Sequence, residues 1–128
     1  MSESTHLHHD HAATPSPAAF RLARAEGNER LRGSGELFES FFALDAAAYQ
    51  AGALPVTTKE LLGLVVSVMK DCEECVYYHL ERCDEEGVGR DEVLETLQIA
   101  LVAGGSVTVP LLRRAMSFMS QLPRLGAS

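Results

Sequence analysis

Tryptophan is absent from this chain of 128 residues, aromatic residues make up only 6% of it, and there are three cysteines and five prolines. A small and odd cysteine count argues against a secreted disulfide framework and favours working thiols in a reducing compartment. No apolar run approaches the roughly 18 residues that cross a bilayer, and the N-terminus lacks the basic and then apolar pattern of a secretory signal. The expectation is a soluble, cytoplasmic protein with no membrane partner. Positive charge is short as well: 11 lysines and arginines stand against 18 acids, a formal net charge of -7. Most of the excess lies between residues 59 and 87, where eight acids face three bases, which argues against nucleic acid as a partner of that region.

What the chain does have is 46% apolar residues, enough for one core in a length too short for two. Residues 1–17 are polar, contain Pro15 and Pro17, and hold His6, His8, His9 and His11; they read as a disordered arm. A His-rich tract without fixed geometry binds a transition metal weakly and unselectively, so no metal function is assigned to it. One domain is expected over 18–122, with 123–128 as a tail.

Helical periodicity runs through that domain. A charged segment over 18–32 is broken by Gly33-Ser34-Gly35. Leu37, Phe38, Phe41, Phe42, Leu44, Ala48 and Tyr49 recur at three- and four-residue spacing, which predicts a strongly amphipathic helix stopping near Gly52. Thr57 or Thr58 can cap the next segment, whose Leu61, Leu62, Leu64, Val65, Val66, Val68 and Met69 are apolar almost all round; a buried helix fits better than a strand. A helix from Asp71 to about Glu86 ends at Gly87, another opens at Asp91 and stops at Gly104-Gly105, and a last one begins near Pro110. Five or six helices predict an all-α domain, and so much apolar surface on so few helices predicts self-association.

The stretch that speaks of chemistry is Asp71-Cys72-Glu73-Glu74-Cys75-Val76-Tyr77-Tyr78-His79. Thiols at i and i+3 can close a disulfide within one turn, and a histidine four residues past the second can take its proton. Asp71 followed by Glu74 matches an acidic capping box, with Asp71 as N-cap and both thiols near a helix N-terminus, whose partial positive charge favours thiolate; Glu73 and Glu74 oppose it. Cys75 is then the nucleophile, Cys72 the resolving thiol and His79 the base. Glu60 lies about 18 Å from Cys72 if one helix is continuous, but a reversal at Lys70-Asp71 into an antiparallel pair brings it beside His79, where it would orient the imidazole.

Blander readings compete. Glu60 can be a first-turn acid, and Cys72, Cys75, Val76, His79, Leu80 and Cys83 also follow the spacing of an ordinary buried face. Cys83 fits that face best, because it lies about 12 Å along the helix from Cys75. A zinc site of Cys72, Cys75, His79 and Glu60 would draw three ligands from one helix, which structural zinc sites seldom do.

Glu60, eleven intervening residues, then Cys72-x-x-Cys75-x-x-x-His79, with the later Gly104-Gly105-Ser106 and the Pro110-Leu111-Leu112-Arg113-Arg114 helix, together resemble the AhpD-like alkylhydroperoxidases of the carboxymuconolactone decarboxylase superfamily. The resemblance covers roughly residues 36–117 and implies an AhpD-like helical bundle that assembles as a homo-oligomer, trimers in two-repeat members and hexamers in short ones like this. It implies an antioxidant oxidoreductase, a peroxidase in which one thiolate attacks a hydroperoxide. A sulfenic acid forms, the second thiol closes the Cys72–Cys75 disulfide, and an external dithiol, lipoyl or thioredoxin-like, restores it. Glu60 and His79 would relay the proton, with no cofactor and no metal. The chain departs from characterised members at Glu74, where they carry a second relay histidine. That departure leaves a general disulfide oxidoreductase or a non-enzymatic redox-sensing module as the alternative.

Overall fold

Ser16 starts the first helix: its backbone is extended, its hydroxyl accepts the Ala19 amide at 3.1 Å, and Pro17 follows in the first turn, where an N–H has no partner to lose. In the computed structural model, which describes residues 14–127, that helix is α1, Pro17–Arg32. It is followed by α2 (Glu36–Ala48), α3 (Val56–Met69), α4 (Glu73–Glu85), α5 (Arg90–Gly104), a 3-10 turn (Ser106–Thr108) and α6 (Val109–Met119). The described residues are therefore all-α, with no strand. No helix among them is long and apolar enough to cross a membrane. His6, His8, His9 and His11 lie outside the described residues.

The core forms where α3 and α4 pack on each other, α5 backs α3, and α6 backs α4. Leu64 and Val68 of α3 meet Val76, Leu80 and Cys83 of α4, Val93 and Ala100 of α5, and Leu111, Ala115 and Met119 of α6, all at most 2% exposed. Each such large aliphatic side chain contributes about 1.5–3 kcal/mol by leaving water. Helix α1 joins through Phe20, whose ring meets Tyr77 and Phe118 edge-on at 5.6 and 5.7 Å while those two stack at 4.5 Å. After α6 the chain folds back. Buried Asp84 accepts the amides of Arg124 and Leu125 at 2.9 and 2.8 Å, and Leu122 and Leu125 are buried, so the segment that reads as a tail is docked on α4.

Several local expectations are corrected. Neither Thr57 nor Thr58 caps α3; Pro55 is the N-cap and both threonines lie within the first turn. The N-cap of α4 is Cys72 rather than Asp71, because the reversal after α3 is so tight that Asp71 takes a left-handed conformation (φ 55°), which aspartate tolerates better than most residues. Helix α3 is not buried all round: Leu62, Val66 and Met69 are 48, 51 and 42% exposed. Helix α2 forms where its periodicity predicts, yet buries none of its residues; Leu37 and Leu44 are 86 and 69% exposed.

Candidate functional site

Because α3 and α4 are antiparallel, the second turn of α3 lies level with the middle of α4. Glu60 is 1% exposed there, and its Oε1 accepts from Nδ1 of His79 at 2.8 Å. Arg82, one turn further along α4, donates Nε to the other carboxylate oxygen at 3.4 Å and reaches Glu85 and Glu86 at 2.8 and 3.0 Å. A buried carboxylate persists only when paired in this way. Burial works against the Arg82 charge, but its bonds to Glu85 and its attraction to Glu60 win, and its pKa is raised. Since a carboxylate only accepts, Nδ1 of His79 is the donor, and in the neutral ring Nε2 keeps the free lone pair.

Nε2 lies 3.5 Å from the hydroxyl of Tyr49, the residue that caps the C-terminal end of α2. The His79 ring is held between Tyr49, at a centroid distance of 5.3 Å, and Tyr78, edge-on at 5.1 Å. Burial, then the charges of Glu60 and Asp45, push the Tyr49 hydroxyl above its ordinary value, so it stays protonated. Lys59 seats this end of α2 by donating to the carbonyls of Ala48 and Gln50 at 2.9 and 2.6 Å. The ring of His79 has space only because residue 63 is glycine: a Cβ there would lie 2.5 Å from its Cε1 and 2.6 Å from the Tyr49 hydroxyl.

Cys72 and Cys75 are joined as a disulfide, their Cα atoms 5.3 Å apart, well inside the range a disulfide spans. The Cys72 sulfur also accepts the Cys75 amide at 3.3 Å, so the N-cap of α4 is a sulfur atom. Glu73, which on sequence grounds opposes a thiolate, is engaged elsewhere: it accepts the Tyr77 hydroxyl at 2.8 Å and faces Arg114 at 3.2 Å, an ion pair without hydrogen-bond alignment. Glu74 is exposed. Cys83, on the same helix, is fully buried, and burial first, then the charge of Glu60, push its thiol up to about 12. It is a core residue with an inert thiol.

A cavity of about 480 Å³ joins these parts, with Cys72, Cys75, His79 and Tyr49 in its wall beside Leu54, Leu62 and Val66. A second, of about 540 Å³, is lined by Glu60, Arg82, Tyr78, Arg24 and Arg32, and Tyr49 forms a wall of both. The structure thus brings Glu60 against His79 and places His79 with both cysteines around one cavity. Three neighbours escaped the sequence reading. Arg82 is three residues past His79, so helical spacing could have found it. Gly63 advertised itself as a glycine inside a helix. Tyr49 gave no signal, being one more member of an apolar stripe.

Comparison with known proteins places these features in company. The model of the carboxymuconolactone decarboxylase family matches residues 35–118. A Thermotoga maritima protein represented by two solved structures is 48 and 47% identical, with TM-scores of 0.79 and 0.78. The similarity covers 81% of this chain and 92 and 89% of those chains. One of the two is described as a carboxymuconolactone decarboxylase family protein with a suggested part in the antioxidative response. A family member from Legionella pneumophila is 27% identical at a TM-score of 0.66, covering 80% of this chain and 96% of its own. An uncharacterised protein of Cupriavidus necator is 30% identical over 76 residues, 59% of this chain and 67% of the relative.

Proposed function

The chain belongs to the carboxymuconolactone decarboxylase family, and from that premise we propose that it is a thiol-dependent peroxidase of the AhpD-like kind, reducing organic hydroperoxides through Cys75 and Cys72 with proton transfer by Glu60 and His79. The observation that carries the reading is His79, held by buried Glu60 at 2.8 Å, standing in the wall of the cavity that the Cys72–Cys75 disulfide also lines. Neither a core face nor a capping acid needs a carboxylate aligned on one nitrogen of an imidazole that lines the same cavity as a redox pair.

In the reduced protein, His79 Nε2 takes the proton of Cys75, the more exposed thiol, and Glu60 stabilises the imidazolium. The thiolate attacks the distal peroxide oxygen; an S–O bond forms, the O–O bond breaks, and sulfur is oxidised by two electrons. The alkoxide takes the proton from His79 and leaves as the alcohol. Cys72 then attacks the Cys75 sulfenic acid, closing the disulfide and expelling hydroxide, which is protonated to water. An external dithiol returns the two electrons by exchange, and its first attack releases a thiolate that, if it is Cys72, is met by the Cys75 amide. The disulfide is the oxidised end of this cycle.

Consumption of cumene hydroperoxide with dithiothreitol tests the proposal. Turnover by the wild type that falls to the protein-free rate in Cys75→Ser supports it; equal slow consumption by both overturns it. Glu74, exposed where characterised members carry a relay histidine, favours a second reading, general disulfide oxidoreduction. That reading expects exchange with small disulfides without peroxide turnover. The exposed Leu37, Phe41 and Leu44 of α2 support assembly as a homo-oligomer, a trimer or hexamer, which light scattering measures directly.

A further inference from the structure

The cavity beside the disulfide has an uneven charge pattern. In a chain of net charge -7, the only charged side chains in its wall among the described residues are two lysines, Lys59 and Lys70, with no carboxylate. The neighbouring cavity, by contrast, sets Arg24, Arg32 and Arg82 against Asp45, Glu60 and Glu86. The two lysines are not equivalent. Lys59 spends its ammonium on the carbonyls of Ala48 and Gln50, whereas Lys70 has no carboxylate within 4.0 Å among the described residues. The remaining wall near the sulfurs is Leu54, Leu62 and Val66, each more than 40% exposed. About 480 Å³ bounded by apolar side chains, the Lys70 ammonium and the redox pair lies in the range of small-molecule sites.

Building on the peroxidase reading above, we propose that the substrate is an apolar hydroperoxide carrying an acid group, a fatty acyl hydroperoxide in its free-acid form, whose carboxylate is selected by Lys70 while its chain lies on Leu54, Leu62 and Val66. Hydrogen peroxide would leave that wall unused. The chemistry at sulfur is unchanged: the peroxide bond is reduced to the alcohol, and the carboxylate passes through intact. Lys70 is a specificity residue in this scheme and touches no reacting atom. Because it is solvent-exposed, its preference is a modest one, about fivefold, and is screened by salt.

Lys70 also stands at the C-terminal end of α3, where a cation suits the helix dipole. That role alone predicts equal effects on every substrate. The test therefore compares kcat/KM for linoleate hydroperoxide and its methyl ester, in a non-ionic detergent at low salt, for the wild type, Lys70→Gln and Lys70→Glu. The expected acid-to-ester ratio is about five in the wild type, about one in Lys70→Gln and below one in Lys70→Glu. A wild-type ratio of one, or a ratio that Lys70→Gln leaves unchanged, overturns the proposal while the peroxidase reading stands. Calorimetric binding of decanoate to the oxidised protein needs no turnover. Binding about fivefold weaker in Lys70→Gln keeps the acid site even if no peroxide is consumed, and equal binding removes it.

Discussion

Helices α2 and α4 present nearly the same pattern in sequence, an apolar residue every three or four positions, and they end up in opposite surroundings. Helix α4 lies against α3 and α6 and buries Val76, Tyr77, His79, Leu80 and Cys83. Helix α2, with more phenylalanine and leucine on its stripe, buries nothing. Periodicity reports that a face exists; it does not report what covers it. The polar residues obey the same lesson in reverse. Glu60, Asp84 and His79 are among the buried side chains, each matched to a named partner, while Phe41 of α2 stands 62% exposed.

That contrast makes substitutions at the α3–α4 contact cost far more than those on α2. The largest effect is expected for His79→Gln, which keeps a polar side chain but removes the base; peroxide turnover should fall by about 10²–10⁴-fold. A loss under threefold would break the assignment. Next comes Gly63→Ala against Gly27→Ala. A methyl at 63 meets His79 at 2.5 Å, one at 27 meets nothing within 4 Å, and both sit inside helices. Gly63→Ala should destabilise by about 1–3 kcal/mol and Gly27→Ala stabilise by about 0.4–1 kcal/mol, read from denaturant midpoints. Similar signs for the two would blur the comparison.

On α2, Phe41→Ser should change the stability of the folded subunit by no more than about 0.5 kcal/mol and lower the assembly size seen by light scattering. An unchanged assembly size would place the contact elsewhere. The smallest effect concerns Cys83. Its folded-state thiol ionises near 12 against an ordinary value of 9.0, so its contribution is complete below about pH 9 and is lost as pH rises toward 12. Wild-type stability should therefore fall more steeply across that window than that of Cys83→Ala. In the reduced native protein, iodoacetamide at pH 8 should label Cys72 and Cys75 but not Cys83.

Much of the scaffold was legible in residues close together in sequence. Gly87, Gly104-Gly105 and Pro110 end or open helices through backbone geometry that each carries with it. The reversal at Lys70-Asp71 was legible too, since only a turn there lets Glu60 approach His79. Which residue caps α4 was not, because Asp71 and Cys72 are both able caps and the tightness of the turn decides between them. Arg82 hid among the acids of its own helix, and Tyr49 lies thirty positions from the histidine it flanks.

What the sequence by itself determined is local: five or six helices, their punctuation, and two thiols near enough on one turn to join. Interactions within a few residues are dictated by helical rise and side-chain type, whatever the rest of the chain does. Only the tertiary structure decided that a carboxylate from α3 meets the histidine of α4, that Tyr49 borders the same cavity, and that Cys83 is buried. It also left α2 with its apolar side chains in the open. Those outcomes depend on which faces pack together, and packing is settled by the shape and pairing of the whole core rather than by any stretch of it.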